Sequence, residues 1–568
     1  MLFSTSSLIV LSLGLLAVFL PHMRVLPAQK EISARTHRLV CVGVFAMGCF
    51  VRLFALGTLP NGISAEEALV GVQAKALWET GGFLFEGGWT TQLAQWTGES
   101  AGPLLATLTA PFVGLFGMTP WMTRLPLALL SCAAMPAMYG VGNLLGGKRA
   151  ARWCLVIYAI CPYFVLTARL TAAANAAVFL LPIALYMMLA GLKKPGYLYA
   201  GALLMGLMPY TQNMYFFIAP TAVLLCGVFA ALSGMRIRHV LCATALGLLV
   251  CAPGIMTLWV NLGGHEGFVW LDMVRIPALE SFDKAENAAT VFANTDNVPM
   301  LCDKFWAVIT GSVFQVLVHM NISAEMFAPK GMSALYILSI PLMILGVLSL
   351  VRGLLNGVRY EKNRVLASVM MCLLGCATIF WLFLFGSDGN LDQFTGYTCV
   401  YDYSAMLLFD ALLMAAGLCH MECRSLKGTG ALSLLLTASF VMLGMHLLGS
   451  GYSDNTNTYF TGFGNLARKA SVIAQDKDTK VNVTGTVYPH ITPSDAAEMM
   501  YLYAVDADMQ EVLENHRESY DMIYAPGMEN PDPQQVYLVT QSDIAMWDLD
   551  MFQYEELDEY VLLTPIDE

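Results

Sequence analysis

The sequence predicts a polytopic α-helical membrane protein of about 12–13 transmembrane helices, with a small C-terminal extracytoplasmic α/β domain. Three observations predict it. Of the 568 residues, 57% are hydrophobic and 13% charged, at a mean hydropathy of +0.60, against roughly 25% charge and 45–50% apolar content in soluble domains. The apolar residues gather in runs long enough to cross about 30 Å of hydrocarbon. The acidity is segregated: 22 acidic and 5 basic residues lie from Gly451 onward, which leaves 20 acids and 25 bases in the first 450. The net charge of -12 therefore belongs to a water-facing tail, and the membrane part is mildly basic. A nucleic-acid partner, which needs a basic patch, is excluded.

Spans are read at 2–20, 39–57, 124–145, 153–168, 171–191, 197–212, 214–232, 239–261, 334–351, 365–385, 404–421 and 429–449. Basic clusters orient them: Arg24, Lys30, Arg35 and Arg38; Lys148, Arg149 and Arg152; Lys193 and Lys194; Arg236 and Arg238; Arg352, Arg359, Lys362 and Arg364; Arg424 and Lys427. With these on the cytoplasmic side, loops near 58–100, 169, 213, 262–333, 386–403 and 451–568 fall outside. That alternation holds only if the apolar stretch 101–118 is not a simple span. Gly102, Pro103, Pro111, Gly114 and Gly117 suit a re-entrant or interfacial piece there. The first run has no basic residue before it and several after it, so residues 1–38 read as an anchor helix and a cytoplasmic loop rather than a cleaved signal. Residues 39–450 form the membrane domain and 451–568 the acidic external domain, which makes the plasma membrane the expected location.

In the external domain VNVTGTVY (481–488) and QQVYLVT (534–540) alternate like strands, and PSDAAEMMYLYAVDADMQEVLENH reads as one or two helices. The 14 cysteines lie almost entirely in apolar runs and none is in this domain, which excludes a disulfide scaffold and a cysteine metal site. Cys302 and Cys399, in outer loops, are the one pair that could bridge, although scattered cysteines are more often free. No Walker loop and no GxGxxG fingerprint appears, so no nucleotide cofactor is expected.

The chemistry points to the first outer loop. Glu66 and Glu67 stand just beyond a span, at the start of AEEALVGVQAKALWETGG, whose helical spacing predicts an amphipathic helix on the interface. Carboxylates there either serve the helix dipole or act in a site. Glu99 ends the loop, so acids from both ends can converge as a general base or cation ligands. Arg169 sits at the outer end of a span with no acid nearby in sequence, as a snorkelling residue or as a phosphate ligand. In the second outer loop His265 stands beside Glu266, and His265 with Glu99 is the candidate pair for a divalent cation, Mg, Mn or Zn. Trp78, Trp89, Trp96 and Trp270 fit an interfacial belt or a sugar-stacking surface.

Over residues 52–220, and more thinly to about 350, the chain resembles the GT-C glycosyltransferases, the integral membrane enzymes that include protein O-mannosyltransferases and the aminoarabinose transferase of lipid A. The resemblance rests on Glu66-Glu67-Ala68, Glu99 with Pro103, Arg124-Leu125-Pro126, and Cys161-Pro162 followed by Ala168-Arg169. Two features depart from the pattern: Glu66 stands where the family usually has Asp, and NLDQFTGYTCVYDYS lacks the Arg-containing motif of relatives.

The resemblance implies a bacterial cell-envelope enzyme moving a sugar, with inversion, from a polyprenyl-phosphate donor to a hydroxyl of a protein, a wall polymer or a glycolipid. Glu66 would be the catalytic acid, Glu67 and Glu99 would shape the site or orient the acceptor, and Arg169 would bind the donor phosphate. The alternative is a transporter or lipid flippase, for which Asp410 is the mid-span acid to watch.

Overall fold

The computed structural model describes residues 33–84, 86, 88–93, 101–279, 283–295, 297–310, 335–336, 339–355, 362–386, 403–424, 426–449, 461–483, 493–514, 522–524, 531–541, 544, 547–558 and 560–566. The run at 2–20, Trp96, Glu99 and Cys399 lie outside the described residues. Cys302 is an exposed free thiol.

The apolar part is built from α1 (Ala34–Leu53), α2 (Ala65–Thr80), α3 (Leu104–Phe116), α4 (Pro120–Ile160), α5 (Pro162–Leu166), α6 (Asn175–Gly191), α7 (Pro195–Gly206), α8 (Tyr215–Ser233) and α9 (Ile237–Gly263). It continues through α10 (Asp283–Ala293), α11 (Val298–Thr310), α12 (Ser339–Leu355), α13 (Lys362–Phe385), α14 (Ser404–Arg424) and α15 (Leu426–Leu447). Among the described residues seven of these are long and apolar enough to cross a membrane, namely α1, α4, α8, α9, α13, α14 and α15, while α3, α6 and α12 are shorter apolar helices. The chain is a multi-pass membrane protein. The runs at 124–145 and 153–168 share α4, which kinks at Gly147, a residue at φ 78° that only glycine adopts without strain.

The stretch 101–118 becomes α3, whose 13 residues span about 20 Å, short of the roughly 30 Å of hydrocarbon. It lies along α2, so close that a Cβ on Gly114 would come within 2.2 Å of the Trp78 ring. The structure differs from the sequence expectation at α2. That helix does not lie on the interface with one wet face: Ala65, Glu67, Ala68, Leu69, Val70, Val72, Gln73, Ala74 and Ala76 are all buried. Its small residues let α3 and α4 approach from the membrane part while the C-terminal domain closes over it.

That domain contains α16 (Thr461–Asp476), α17 (Pro493–Val505) and α18 (Met509–Glu514) on a five-stranded sheet. The strands β4 (Val481–Val483), β5 (Met522–Tyr524), β6 (Val536–Thr540), β7 (Phe552–Leu557) and β8 (Tyr560–Pro565) run in the order β5-β4-β6-β8-β7. β4 is parallel to both β5 and β6, and β8 is antiparallel to β6 and β7, with Tyr537 opposite Leu563. A second small sheet joins the loop after α2 to the loop after α9: β1 (Trp89–Thr90) pairs in parallel with β3 (Val274–Ile276), which pairs antiparallel with β2 (Phe268–Trp270).

At the other end of the bundle Arg152 donates to both oxygens of Glu422 at 2.5 Å, and Trp153 Nε1 donates to Oε2 at 2.7 Å. This buried cluster staples α4 to α14, and the Arg152 contact with His37 Nδ1, 3.3 Å away, ties in α1. The desolvation of a buried pair is offset only when its remaining lone pairs and protons are also bonded, and here the indole supplies one such bond.

Candidate active site

α2 starts with a capping box. Ser64 Oγ accepts from the Glu67 amide at 3.3 Å, and Glu67 Oε2 accepts from the Ser64 amide at 3.1 Å. Glu67 is fully buried, and its carboxylate also receives a bidentate fork from Arg124, Nε to Oε1 at 2.7 Å and Nη2 to Oε2 at 2.8 Å. The Thr171 amide adds a fourth bond, to Oε1 at 3.1 Å. The rest of the Arg124 fork goes to the carbonyls of Leu56, Pro60 and Gly62. Charge and hydrogen-bond demand therefore close locally around Glu67, as burial of an ion pair requires.

Glu66, the neighbouring residue, is half-buried in the first turn of α2. One residue along a helix is a rotation of about 100°, so the two adjacent acids face different surroundings. Glu67 anchors the loop to α4 and the turn before α6, while Glu66 retains partial access to solvent.

Arg169 ends a single 3-10 turn after α5 and is 2% exposed. Its Nη1 donates to the carbonyls of Val51 at 2.7 Å and Arg52 at 3.4 Å, and its Nη2 to those of Ala55 at 3.3 Å and Leu59 at 2.6 Å. Arg52, fully buried, does the same work one layer deeper, on Ser131 Oγ and the carbonyls of Gly48, Tyr158, Ala159 and Phe164. Three buried arginines thus fix the chain from the end of α1 to the start of α2. Planar forks suit this task because each satisfies several carbonyls at once.

The C-terminal domain completes the setting. Tyr503 of α17 lays its ring over Gly71, where a Cβ would approach within 2.5 Å, and its hydroxyl bonds Thr123 Oγ1 at 2.9 Å. Thr171 Oγ1 donates to the Thr123 carbonyl at 3.3 Å, and the Thr171 amide reaches Glu67, so a continuous polar path runs from the C-terminal domain to the anchored carboxylate. Lys75 pairs with Asp506 at 2.6 Å, and Glu79 Oε2 accepts from the Met509 amide at 3.0 Å. Burial pushes the Tyr503 phenol well up, with the Thr123 bond and Arg124 acting the other way.

The structure brings Glu66, Glu67, Arg124 and Arg169 to one end of the bundle. Glu99 lies outside the described residues. His265 is exposed and stacks on Trp259 at 4.2 Å between ring centroids. Among the described residues no three His, Cys, Asp or Glu side chains converge as cation ligands. Trp89 packs edge-on against Tyr210 at 5.5 Å, and Trp78 fills the notch at Gly114. Asp410 is buried in α14, and its Oδ2 has no hydrogen-bond partner among the described residues. Arg52, Thr123, Thr171 and Tyr503 escape the sequence reading. The engagement of Glu67 does carry a sequence signal, the Ser64-x-x-Glu67 spacing of a capping box.

Residues 100–259, from the approach to α3 through most of α9, match the family model described as dolichyl-phosphate-mannose-protein mannosyltransferase. Among solved structures, an oligosaccharyltransferase of Archaeoglobus fulgidus, in complex with an inhibitory peptide and a dolichol-phosphate, shares 14% identity at a TM-score of 0.48. That likeness covers 82% of this chain and 64% of the archaeal one. ArnT of Cupriavidus metallidurans, bound to undecaprenyl phosphate, shares 13% at a TM-score of 0.48, over 94% of this chain and 98% of its own. The S. cerevisiae protein O-mannosyltransferase Pmt1-Pmt2 complex, bound to its sugar donor, shares 14% at 0.30, over 41% and 33%. No curated protein sequence matches the chain.

Proposed function

We propose that this chain, whose residues 100–259 match the family model described as dolichyl-phosphate-mannose-protein mannosyltransferase, transfers a glycosyl group from a polyprenyl-phosphate donor to a hydroxyl acceptor at the outer face of a bacterial plasma membrane, with inversion. The observation that carries this reading is the difference in setting between two adjacent acids. Glu67 is held by four hydrogen bonds, one from Ser64, one from Thr171 and two from Arg124, and Glu66 stands beside it on the same rigid helix start, half-buried.

In the proposed reaction the acceptor O–H gives its proton to the Glu66 carboxylate while the oxygen bonds to the anomeric carbon. The bond from that carbon to the donor phosphate oxygen breaks on the opposite face, and polyprenyl phosphate leaves. General-base help of this kind is worth roughly 10²–10⁴-fold. The leaving oxygens need positive charge nearby. Arg169 is the sequence candidate; with its terminal nitrogens on four carbonyls, its part in this scheme is to fix the 51–59 turn under the site. For a divalent cation the described residues do not form a ligand set.

The test is a panel of radiolabelled polyprenyl-phosphate sugars given to the purified protein in lipid, with envelope fractions as acceptors, scored for released polyprenyl phosphate and for the anomeric configuration of the product. Release with an inverted product supports the reading. No release from any donor, together with accumulation of labelled lipid or solute across the bilayer that Asp410→Asn abolishes, favours the transporter, the second reading that the buried Asp410 carboxyl supports.

A further inference from the structure

The end of the bundle away from Glu66 carries a cationic groove. Three helix turns converge there, and a cavity of about 470 Å³ between them is lined by Lys193, Ser233, Arg236, His239 and Asn363. That volume lies in the range of small-ligand sites. A smaller one of about 110 Å³ shares Lys193 and Asn363 and adds Arg364 and Asn143. Among the described residues no acid lines either cavity. Ser233 Oγ donates to the Leu192 carbonyl at 2.8 Å, which ties the α6–α7 turn to the end of α8 and fixes the groove's walls.

Several polar groups face no protein partner. Among the described residues neither the Arg236 nor the Arg364 guanidinium has a hydrogen-bond or ion-pair partner, and Arg364 lies within 3.8 Å of the Cβ that Gly147 would carry, over the α4 kink. His239 Nδ1 meets the Tyr199 hydroxyl at 3.2 Å, which orients the ring and leaves Nε2 for a ligand. Leu232, Ile237 and Leu241, all exposed, flank the same turn and start the lipid-facing surface of α8 and α9.

We infer that this groove binds the phosphodiester headgroup of an anionic phospholipid, with Arg236, His239 and Arg364 on the phosphate and the acyl chains along α8 and α9. A groove of fixed cations between helix ends, opening onto apolar helix surface, selects an anion that brings its own hydrocarbon. α6 runs from Asn175, beside Thr167 and Leu170, to Gly191 at the groove, a length of about 26 Å. The site is therefore separate from the Glu66 loop, and its test reads lipid rather than sugar.

The experiment compares delipidated wild type with Arg236→Gln/Arg364→Gln in zwitterionic detergent, by native mass spectrometry and thermal melting. The additives are phosphatidylglycerol, phosphatidylcholine and inorganic phosphate. Wild type is expected to retain phosphatidylglycerol at least tenfold over phosphatidylcholine and to melt several degrees higher with it, and the double variant to lose both effects while melting like delipidated wild type. If the double variant does not fold, Arg236→Gln alone, on an exposed turn, serves instead and should lose most of the selectivity. Equal retention by wild type and variant, or a full melting shift from inorganic phosphate alone, overturns the inference. The first outcome marks ordinary annular lipid, the second a soluble-anion site.

Discussion

Replacing Glu67 by Gln keeps the shape of the side chain and removes the charge that faces Arg124. Both side chains are fully buried, and the carboxylate accepts four N–H groups. A Gln side chain offers one oxygen for two of those donors and turns its own NH₂ toward the other two, so at least one pair becomes donor against donor. Arg124 is left charged and buried. Breaking a buried pair from one side costs about 3–5 kcal/mol, a large part of the 5–15 kcal/mol that holds an ordinary domain together. Urea or thermal denaturation in detergent, followed by tryptophan fluorescence, should show this loss, accompanied by faster proteolysis of the loop between α1 and α2. Glu67→Gln melting within about 0.5 kcal/mol of wild type, the range of surface substitutions, would refute the assignment of Glu67 as the anchor.

Four further outcomes follow from the contacts. Gly71→Ala drives a methyl to within 2.5 Å of the Tyr503 ring and should loosen the C-terminal domain at a cost of about 1–3 kcal/mol, whereas Gly43→Ala, with nothing within 4 Å, should not; differential scanning fluorimetry of the pair decides it. Tyr503→Phe removes one buried bond to Thr123 and should cost about 1 kcal/mol, read as increased protease access to Lys75 and the loop after α17. Glu422→Gln strands Arg152 and Trp153 and should lower the melting temperature as strongly as Glu67→Gln does, with no change in donor binding by the folded fraction. Burial raises the Glu86 carboxyl, against the pull of Arg275, so the folded state binds a proton more readily than the unfolded one and its stability falls as pH rises above the ordinary carboxylate range; Glu86→Gln should flatten that part of the melting-versus-pH curve, and an unchanged slope would contradict it.

The helical, apolar character of the first 450 residues is legible from the chain because each hydrophobic run is a local signal, and among the described residues seven of the resulting helices are long and apolar enough to span. The kink in α4 shows in the same way, as Gly146-Gly147 between two runs with Lys148, Arg149 and Arg152 beside it. The burial of α2 is not legible, since what covers it is α17, more than 400 residues away in sequence. Alternating Ala, Gly and Val positions look the same whether a helix lies on a membrane or is sandwiched by a domain. The site is legible in part. The family resemblance singles out Glu66, Glu67, Arg124 and Arg169 as candidates, but which acid is anchored depends on Arg124 and the Thr171 amide arriving from elsewhere in the chain. The reading of Arg169 shifts for a similar reason: four carbonyls around a guanidinium come from the backbone, which no side-chain motif records.

The central claim, that one of two adjacent acids holds the loop while the other does chemistry, is tested most directly by Glu66→Gln. Its melting temperature and its rate of polyprenyl phosphate release are to be measured on the same preparation, with the donor that wild type uses. The account predicts a folded, cooperatively melting variant that keeps more stability than Glu67→Gln, with release slowed by roughly 10²–10⁴-fold. Release within a few-fold of wild type by the folded variant would contradict it.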